Sequence, residues 1–166
     1  MKSYTMLHRY TGVGVFLLTL GLYVQTMAPA VSFWDCGEFI ATSYILGVPH
    51  PPGSPLYVLL GRVFSLFPVA DVAARVTFMS ALSSALAVWC VYCSTLALAR
   101  RALGGNPLIP FGDRRDVGPL SGAVLAALLL AFSYTQWFNA TEAEVYGYSI
   151  FFTCAGLWLI LYLEGS

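Results

Sequence analysis

Four long stretches without a charged side chain constrain the fold of this chain more than any other feature. These stretches cover residues 10–34, 76–99, 117–141 and 145–163. Each is long enough for the roughly 20 apolar residues that a helix needs to cross a bilayer. The pattern therefore predicts an all-α integral membrane protein with about four transmembrane helices in a single domain, residues 1–166. The predicted spans lie at residues 12–30, 73–99, 119–138 and 146–163.

Composition excludes the main alternatives to a membrane protein. Of the 166 residues, 10% are charged and 58% are hydrophobic, whereas soluble domains carry about 25% charged residues. Disordered chains need low hydrophobicity and high charge. The formal net charge is +0 and no long basic tract occurs, so nucleic acid is not an expected partner. The lipid bilayer is the expected partner of most of the chain.

The four cysteines do not indicate a metal site. Cys90 and Cys93 have the spacing of a metal or redox pair, but both lie within an apolar run, where small packing residues are expected. No second cysteine pair or histidine cluster completes a zinc site. Carboxylates could hold Mg²⁺ or Mn²⁺, although no ligand set is evident from the sequence.

A fifth apolar stretch, residues 55–67, is shorter than a membrane span and carries Arg62 near its middle. Prolines precede it at positions 49, 51, 52 and 55, and Pro68 follows it. A short apolar run with a central arginine is typical of an interfacial or re-entrant helix. We therefore expect a juxtamembrane helix within a first external loop that covers residues 31–72.

The distribution of charge predicts which ends of the spans face the cytoplasm. If residues 55–67 do not cross the membrane, Lys2 and Arg9 share a side with the arginine-rich loop 100–118. The acidic residues on the opposite side are then Asp35, Glu38, Asp71, Glu142 and Glu144. Because basic residues are enriched on the cytoplasmic side, both termini are expected in the cytoplasm. The expected location is a bacterial inner membrane.

Two carboxylates directly follow the first predicted span. Asp35 and Glu38 are the only charged residues between Arg9 and Arg62. If a helix begins at Cys36, Asp35 can be its N-cap with Glu38 near the third position, which is a structural explanation. The functional alternative is a carboxylate pair whose basicity is raised where aromatic rings restrict water. The neighbouring aromatic residues are Phe33, Trp34 and Phe39.

His50 lies in a proline-rich segment that fixes its backbone. Pro49, Pro51 and Pro52 surround it, and Gly53 permits a turn or a close approach to a ligand. His50 could contact a phosphate or orient a carboxylate. Alternatively, it could be an interfacial histidine that only fixes the loop.

A second acidic segment, with Glu142 and Glu144, follows the third predicted span. In an extended segment, this alternate spacing is expected to send the two side chains in opposite directions. One carboxylate would then face the first loop while the other meets solvent. Ordinary solvated loop carboxylates are the alternative explanation.

Four segments of the chain form a specific set. They read Phe33-Trp-Asp-Cys-Gly-Glu-Phe-Ile-Ala-Thr, Gly47-Val-Pro-His-Pro-Pro-Gly-Ser-Pro-Leu-Tyr, Leu60-Gly-Arg-Val-Phe-Ser and Glu142-Ala-Glu-Val-Tyr. In order and spacing they resemble the DUF2723 / TMEM260-like family of multispanning proteins over nearly the whole chain. Members of that family are similar to GT-C glycosyltransferases of the protein O-mannosyltransferase type. The resemblance implies a partial GT-C-like fold and a lipid-phosphate-linked sugar donor used on the extracytoplasmic side.

The resemblance also implies a role for each candidate residue. Asp35 would be the general base that takes a proton from an acceptor Ser or Thr hydroxyl, and Glu38 would orient the acceptor or Asp35, or share a proton with Asp35. His50 and Arg62 would bind the donor phosphate, and the second acidic segment would complete the polar centre. The expected substrates are a polyprenyl-phosphate sugar, mannose-like, and a protein hydroxyl. No further cofactor is implied, and a divalent metal stays open.

Members of this family are much longer than 166 residues. The chain is therefore expected to be the N-terminal portion of a membrane glycosyltransferase. The alternative is a non-catalytic membrane subunit of the same family, which packs against a larger membrane complex. A half-transporter would need intramembrane charges or broken helices in matching halves, and the predicted spans show neither.

Overall fold

The computed structural model describes residues 2–110 and 112–165. Seven α-helices and one 3-10 turn (Arg114–Asp116) occur in these residues. The helices are α1 (Lys2–Thr26), α2 (Cys36–Ile45), α3 (Pro55–Ser65), α4 (Val72–Ala102), α5 (Val117–Ala131), α6 (Tyr134–Thr141) and α7 (Val145–Gly165). The described residues contain no strand. The predicted all-α fold is therefore confirmed over this range.

Two of the predicted spans correspond to long apolar helices. α4 has 31 residues and contains the predicted span 73–99, and α7 has 21 residues and contains the predicted span 146–163. At 1.5 Å of rise per residue, both helices exceed the roughly 30 Å thickness of a bilayer core. Their length and composition support an integral membrane protein.

The third predicted span, residues 119–138, is not a continuous helix. The segments Arg114–Ala131 and Tyr134–Thr141 meet at an angle of 61°. Ser133 at the break has extended backbone angles, φ −65° and ψ 140°, and its hydroxyl donates to the carbonyl of Leu130 at 2.8 Å. This backbone cannot continue the helical hydrogen-bond ladder. The pair is long and apolar enough to cross a membrane only when it is counted as one bent span.

The first predicted span, residues 12–30, lies largely within α1, which ends at Thr26. α1 is 25 residues long, but it is not among the described helices that are apolar enough over a membrane-spanning length. By length and composition, two helices of the described chain can cross a membrane, or three if the bent pair is one span. The prediction of four spans is thus not confirmed.

α4 lies at the centre of the bundle, where α1, α3, α5, α6 and α7 contact it. Its small residues Ala81, Ser84 and Ala85 are fully buried. A Cβ atom added to Gly147 of α7 would lie 2.4 Å from the Ser84 Oγ atom. α7 therefore approaches α4 at a distance that requires glycine, as is typical of helix contacts in membranes.

The short helix predicted in residues 55–67 is confirmed as α3. It runs antiparallel to the first half of α4, because Tyr57 lies 3.5 Å from Ser80 (Oη to Oγ), whereas the far end of α3 meets Arg75. The Arg75 Nη1 atom donates to the carbonyl of Ser65 at 2.5 Å. α3 and α4 therefore form a helical hairpin. The location of α3 at a membrane surface stays a prediction.

The acidic segment with Glu142 and Glu144 and the arginine-rich segment at Arg100 lie near different ends of α4. The Ser80 hydroxyl donates to the Glu144 carbonyl at 3.3 Å, in the first third of the helix. Near its other end, Arg100 and Asp116 form a buried ion pair, with 3.4 Å between Nε and Oδ1. Ser80 and Arg100 are separated by about 30 Å of helix. This separation agrees with the predicted grouping of charges, with the acidic loops together and the arginine-rich loop far from them.

Candidate active site

Asp35 directly precedes α2, which begins at Cys36 as expected. The Asp35 carbonyl accepts a hydrogen bond from the Phe39 backbone N–H at 3.0 Å. However, its side chain forms no capping hydrogen bond, and Glu38 points to a different partner. The interpretation of Asp35 and Glu38 as a capping box is therefore wrong. The Asp35 carboxylate is exposed and has no hydrogen-bond donor among the residues that the structure describes.

Glu38 binds His50 through two hydrogen bonds. One carboxylate oxygen accepts the His50 backbone N–H at 2.8 Å, and the other lies 2.6 Å from the His50 Nδ1 atom. The hydrogen bond to Glu38 raises the pKa of His50 above its ordinary value. The same contact lowers the pKa of Glu38. The pair therefore favours a carboxylate beside an imidazolium, in which Nδ1–H is the donor to Glu38.

The loop between α2 and α3 returns His50 to the start of α2. The Gly53 backbone N–H donates to the His50 carbonyl at 2.9 Å, and Gly53 has a φ of 77°, which favours glycine. The His50 ring also contacts the buried ring of Phe39, with 5.9 Å between centroids. The predicted turn at Gly53 is therefore confirmed, and it holds His50 in place.

Asp35, Glu38 and His50 form a group in which one candidate ligand atom from each residue lies within 4.8 Å of the others. Asp35 contributes to the raised pKa of His50 through its negative charge. Carboxylates and imidazole are ligands for divalent cations, so these residues could hold one. The hydrogen bonds between Glu38 and His50 pair one carboxylate with the imidazole, and Asp35 adds a second carboxylate to the group.

A second group of candidate ligands, formed by Cys36, Glu142 and Glu144, is more buried than the first. The Cys36 Sγ atom lies 3.5 Å from an oxygen of Glu142 and 3.7 Å from an oxygen of Glu144. The Ser32 hydroxyl donates to the other oxygen of Glu142 at 2.7 Å. Both carboxylates thus face the first loop, and the prediction that they point in opposite directions is wrong. The reason is a local turn, in which the Glu144 backbone N–H donates to the Glu142 carbonyl at 2.9 Å.

Burial controls the protonation of this second group. The pKa of Glu144 is raised, first by burial and then by the negative charge of Asp35. Burial, together with Glu144 and Glu142, raises the pKa of Cys36 to about 12. The thiol therefore stays protonated and acts as a weak hydrogen-bond donor to the carboxylates. A thiolate nucleophile at Cys36 is not favoured.

Sequence reasoning did not assign a role to Cys36 or Ser32. Cys36 is the first residue of α2 and is fully buried. Its place between Asp35 and Glu38, together with the strong tendency of cysteine to be buried, is a signal that could have indicated this. Ser32 offers no comparable signal, because its contact with Glu142 spans 110 residues.

Aromatic side chains shield the site differently from the prediction. Phe39 is buried and contacts Tyr57, with ring centroids 5.3 Å apart. In contrast, Phe33 and Trp34 are 85% and 86% exposed, so they do not cover the carboxylates. Trp34 also has a φ of 61°, a conformation that is uncommon outside glycine and is frequent at functional sites.

Arg62 lies on α3 beside the second half of α2. Its Nη1 atom donates to the Tyr44 carbonyl at 2.6 Å, and its guanidinium lies 5.4 Å from the centre of the Tyr44 ring. Tyr44 is six residues beyond Glu38, or about 9 Å along the helix. The structure thus brings together five of the predicted site residues, and Arg62 lies apart from them. These five are Asp35, Glu38, His50, Glu142 and Glu144.

Comparisons with known proteins agree with the sequence resemblance. Residues 35–166 match a family model described as the N-terminal domain of protein O-mannosyl-transferase TMEM260. The chain is 30% identical over 135 residues to the mouse protein O-mannosyl-transferase TMEM260, covering 81% of this chain and 17% of that protein. It is 26% identical over 164 residues to the Dictyostelium discoideum protein of the same name, covering 95% of this chain and 18% of that protein. No solved structure matches.

Proposed function

The chain belongs to the TMEM260 N-terminal domain family, and from this premise we propose that it is the catalytic-loop portion of a membrane glycosyltransferase. The reaction is transfer of a mannose-like sugar from a polyprenyl-phosphate donor to a Ser or Thr hydroxyl of a protein. The two relatives named above are protein O-mannosyl-transferases, and the chain spans less than a fifth of their length.

The observation that carries the proposal is the position of Asp35. Its exposed carboxylate has no hydrogen-bond donor in the described chain, yet candidate ligand atoms of Asp35, Glu38 and His50 lie within 4.8 Å of one another. A general base must be accessible and free to accept a proton. Glu38 is less suitable as the base, because its oxygens already accept hydrogen bonds from His50.

We assign the proton transfer to Asp35. Its carboxylate takes the proton of the acceptor hydroxyl as the hydroxyl oxygen forms a bond to the anomeric carbon. The bond between that carbon and the phosphate oxygen breaks, and the lipid phosphate leaves with the electron pair. Attack and departure on opposite faces invert the anomeric configuration, as in the inverting mechanism of glycoside hydrolysis.

His50 is the group best placed to stabilise the leaving phosphate. Its Nδ1 side is occupied by Glu38, which favours the protonated ring. The Nε2–H of the protonated ring is then a charged donor that can bind the developing phosphate charge. Glu38 acts here as a positioning residue that orients His50. A direct phosphate role for Arg62 stays a prediction, because its guanidinium binds Tyr44.

A buried group next to the loop, formed by Cys36, Glu142 and Glu144, stabilises the loop. They join the start of α2 to the segment before α7, and thereby fix the backbone next to Asp35. The extracytoplasmic location of this site, the cytoplasmic location of both termini and the GT-C-like fold are parts of the same proposal. The arrangement of charges along α4 supports the orientation. The bacterial inner membrane stays a prediction.

The direct test compares Asp35→Asn with the unchanged full-length protein in proteoliposomes. The donor is radiolabelled polyprenyl-phosphate mannose, and the acceptor is a peptide rich in Ser and Thr. We expect Asp35→Asn to lower transfer by at least about 100-fold, the magnitude of a lost general base. Asp113→Asn is a matched control at the other end of the bundle and should retain transfer. Transfer by Asp35→Asn at the unchanged rate would rule out Asp35 as the base.

The second candidate function is a non-catalytic membrane subunit. The observation that favours it is the exposure of α7. Of the 21 residues in this helix, Gly147 and Leu161 are the buried ones. The remaining surface can contact lipid or further membrane helices. Purification in mild detergent followed by mass spectrometry distinguishes the two functions. A large complex in fixed stoichiometry and no sugar transfer would favour the subunit.

A further inference from the structure

An apolar groove lies at the end of the α3–α4 hairpin where the two helices are joined. It has a volume of about 470 Å³, within the range of ligand cavities. Its walls include Met27 after α1, Phe64 and Phe67 from α3 and the following turn, and Ala74 and Phe78 from α4. The lining is almost entirely apolar, so an occupant would gain mainly from burial of hydrocarbon.

The charged residue in this lining is Arg75. Its Nε atom donates to the Asp71 carbonyl at 3.0 Å, and its Nη1 atom donates to the carbonyls of Ser65 and Phe67. The Asp71 carboxylate forms no ion pair with Arg75 and instead accepts the Ala74 backbone N–H at 2.7 Å. In the described part of the chain, Arg75 has no carboxylate partner and its Nη2 atom has no acceptor.

We propose that this groove binds an anionic phospholipid of the bilayer, with an acyl chain between the aromatic walls and the phosphate on Arg75. An uncompensated guanidinium at the end of an apolar groove complements a lipid that has one anionic group and long hydrocarbon chains. Arginine binds phosphate through charge-assisted hydrogen bonds. A basic residue in a pocket between membrane helices can bind a lipid headgroup.

The position of Arg75 distinguishes this site from the proposed active site. Arg75 precedes Ser80 by five residues on α4, about 7.5 Å along the helix, and it extends toward the end of α3. Ser80 contacts the Glu144 carbonyl. A phosphate on Arg75 would therefore lie on the order of 10 Å from the acidic residues. In a sugar donor, only one oxygen separates the phosphorus from the anomeric carbon, so the groove does not suit the reacting phosphate.

Native mass spectrometry of the detergent-purified, full-length protein tests the proposal. Dioleoyl phosphatidylglycerol and dioleoyl phosphatidylcholine are added separately, and retention of each lipid is titrated. We expect the unchanged protein to bind phosphatidylglycerol about tenfold more tightly, because the choline cation of phosphatidylcholine offsets the phosphate charge that Arg75 attracts. Arg75→Gln should bind the two lipids equally. Arg101→Gln, at the other end of α4 and paired there with Glu164, is the matched control and should keep the preference.

A second variant keeps the test decisive if Arg75→Gln does not fold. Ala74→Phe keeps the guanidinium but fills the groove, and it should weaken retention of both lipids. Equal retention of the two lipids by the unchanged protein would overturn the proposal, as would full retention by Ala74→Phe. Displacement of phosphatidylglycerol by an equimolar amount of polyprenyl phosphate would also overturn it, since the groove would then belong to the donor. Loss of sugar transfer in Asp35→Asn tests the catalytic proposal independently.

Discussion

The Nδ1 atom of His50 lies 2.6 Å from a carboxylate oxygen of Glu38, and the backbone N–H of His50 binds the other oxygen. A single carboxylate therefore fixes both the ring and the main chain of a residue 12 positions away. This relationship orients the imidazole beside Asp35. It also gives a way to test the site without a substrate.

The first prediction is that Glu38→Gln lowers the pKa of His50. Glu38 favours the charged ring, so its removal should return the pKa toward the ordinary value of 6.5. Because residues 1–166 contain two histidines, His8→Gln in the 166-residue chain leaves one histidine resonance to follow by NMR titration in detergent. Asp71→Asn is the control, since Asp71 caps α4 instead of contacting His50. A titration unaffected by Glu38→Gln would contradict the pairing.

The second prediction concerns the dependence of stability on pH. The pKa of Glu144 is raised above its ordinary value of 4.5, so the stability it contributes is fully present below pH 4.5 and is lost as pH rises through the raised value. Glu144→Gln removes this loss. The melting temperature of the variant, relative to the unchanged protein, should therefore increase between about pH 4 and about pH 7.

Thermal unfolding in detergent across this range measures the effect. Glu164→Gln is the comparison, because Glu164 is exposed and lies at the other end of the bundle, paired with Arg101. The melting temperature of Glu164→Gln, relative to the unchanged protein, should not increase with rising pH. If the difference in melting temperature between Glu144→Gln and the unchanged protein were the same at every pH, the buried carboxyl would not titrate as expected.

The third prediction is that Cys36→Ala destabilises the protein and Cys36→Ser does so less. The alanine leaves buried Glu144 without its side-chain donor, and such a loss costs about 1–3 kcal/mol. Serine keeps an O–H that can donate to the same carboxylates. Unfolding in denaturant, followed by circular dichroism, compares the free energies of unfolding. Equal losses for the two variants would show that the contact is one of packing alone.

The fourth prediction is that Gly147→Ala loosens the contact between α7 and α4. The added Cβ would lie 2.4 Å from the Ser84 Oγ atom and 3.4 Å from the Ser80 carbonyl. Overpacking of this kind costs about 1–3 kcal/mol. Ser84→Ala removes the nearer atom, so the double variant should regain part of the lost free energy of unfolding. Gly156→Ala, with open space around it, should have little effect.

The sequence predicted the fold best where the physical signal is local. Runs without charge identified α4 and α7, and the short proline-bounded run identified α3. The break between α5 and α6 was not predicted. Its cause is the extended backbone of Ser133, and serine residues also occur within the continuous helix α4, so composition could not mark the break.

The sequence predicted which residues form the candidate site better than it predicted the contacts between their side chains. Asp35, Glu38 and His50 stand out as rare polar residues beside apolar segments, and the fold brings them together. The direction of Glu142 was predicted incorrectly, because alternate spacing assumes an extended strand and the chain instead turns between Glu142 and Glu144. The buried thiol of Cys36 depends on contacts more than 100 residues away, which local patterns do not contain.

The contact between Ser32 and Glu142 joins residues 110 positions apart. During biosynthesis, the contact between the first loop and Glu142 can therefore form only after the chain has been synthesised past α6. The carboxylates of the first loop are synthesised early, but their final arrangement is a late event in maturation. A nascent chain released before Glu144 would contain Asp35 and Glu38 but would lack the complete set of carboxylate contacts that hold the start of α2 in place.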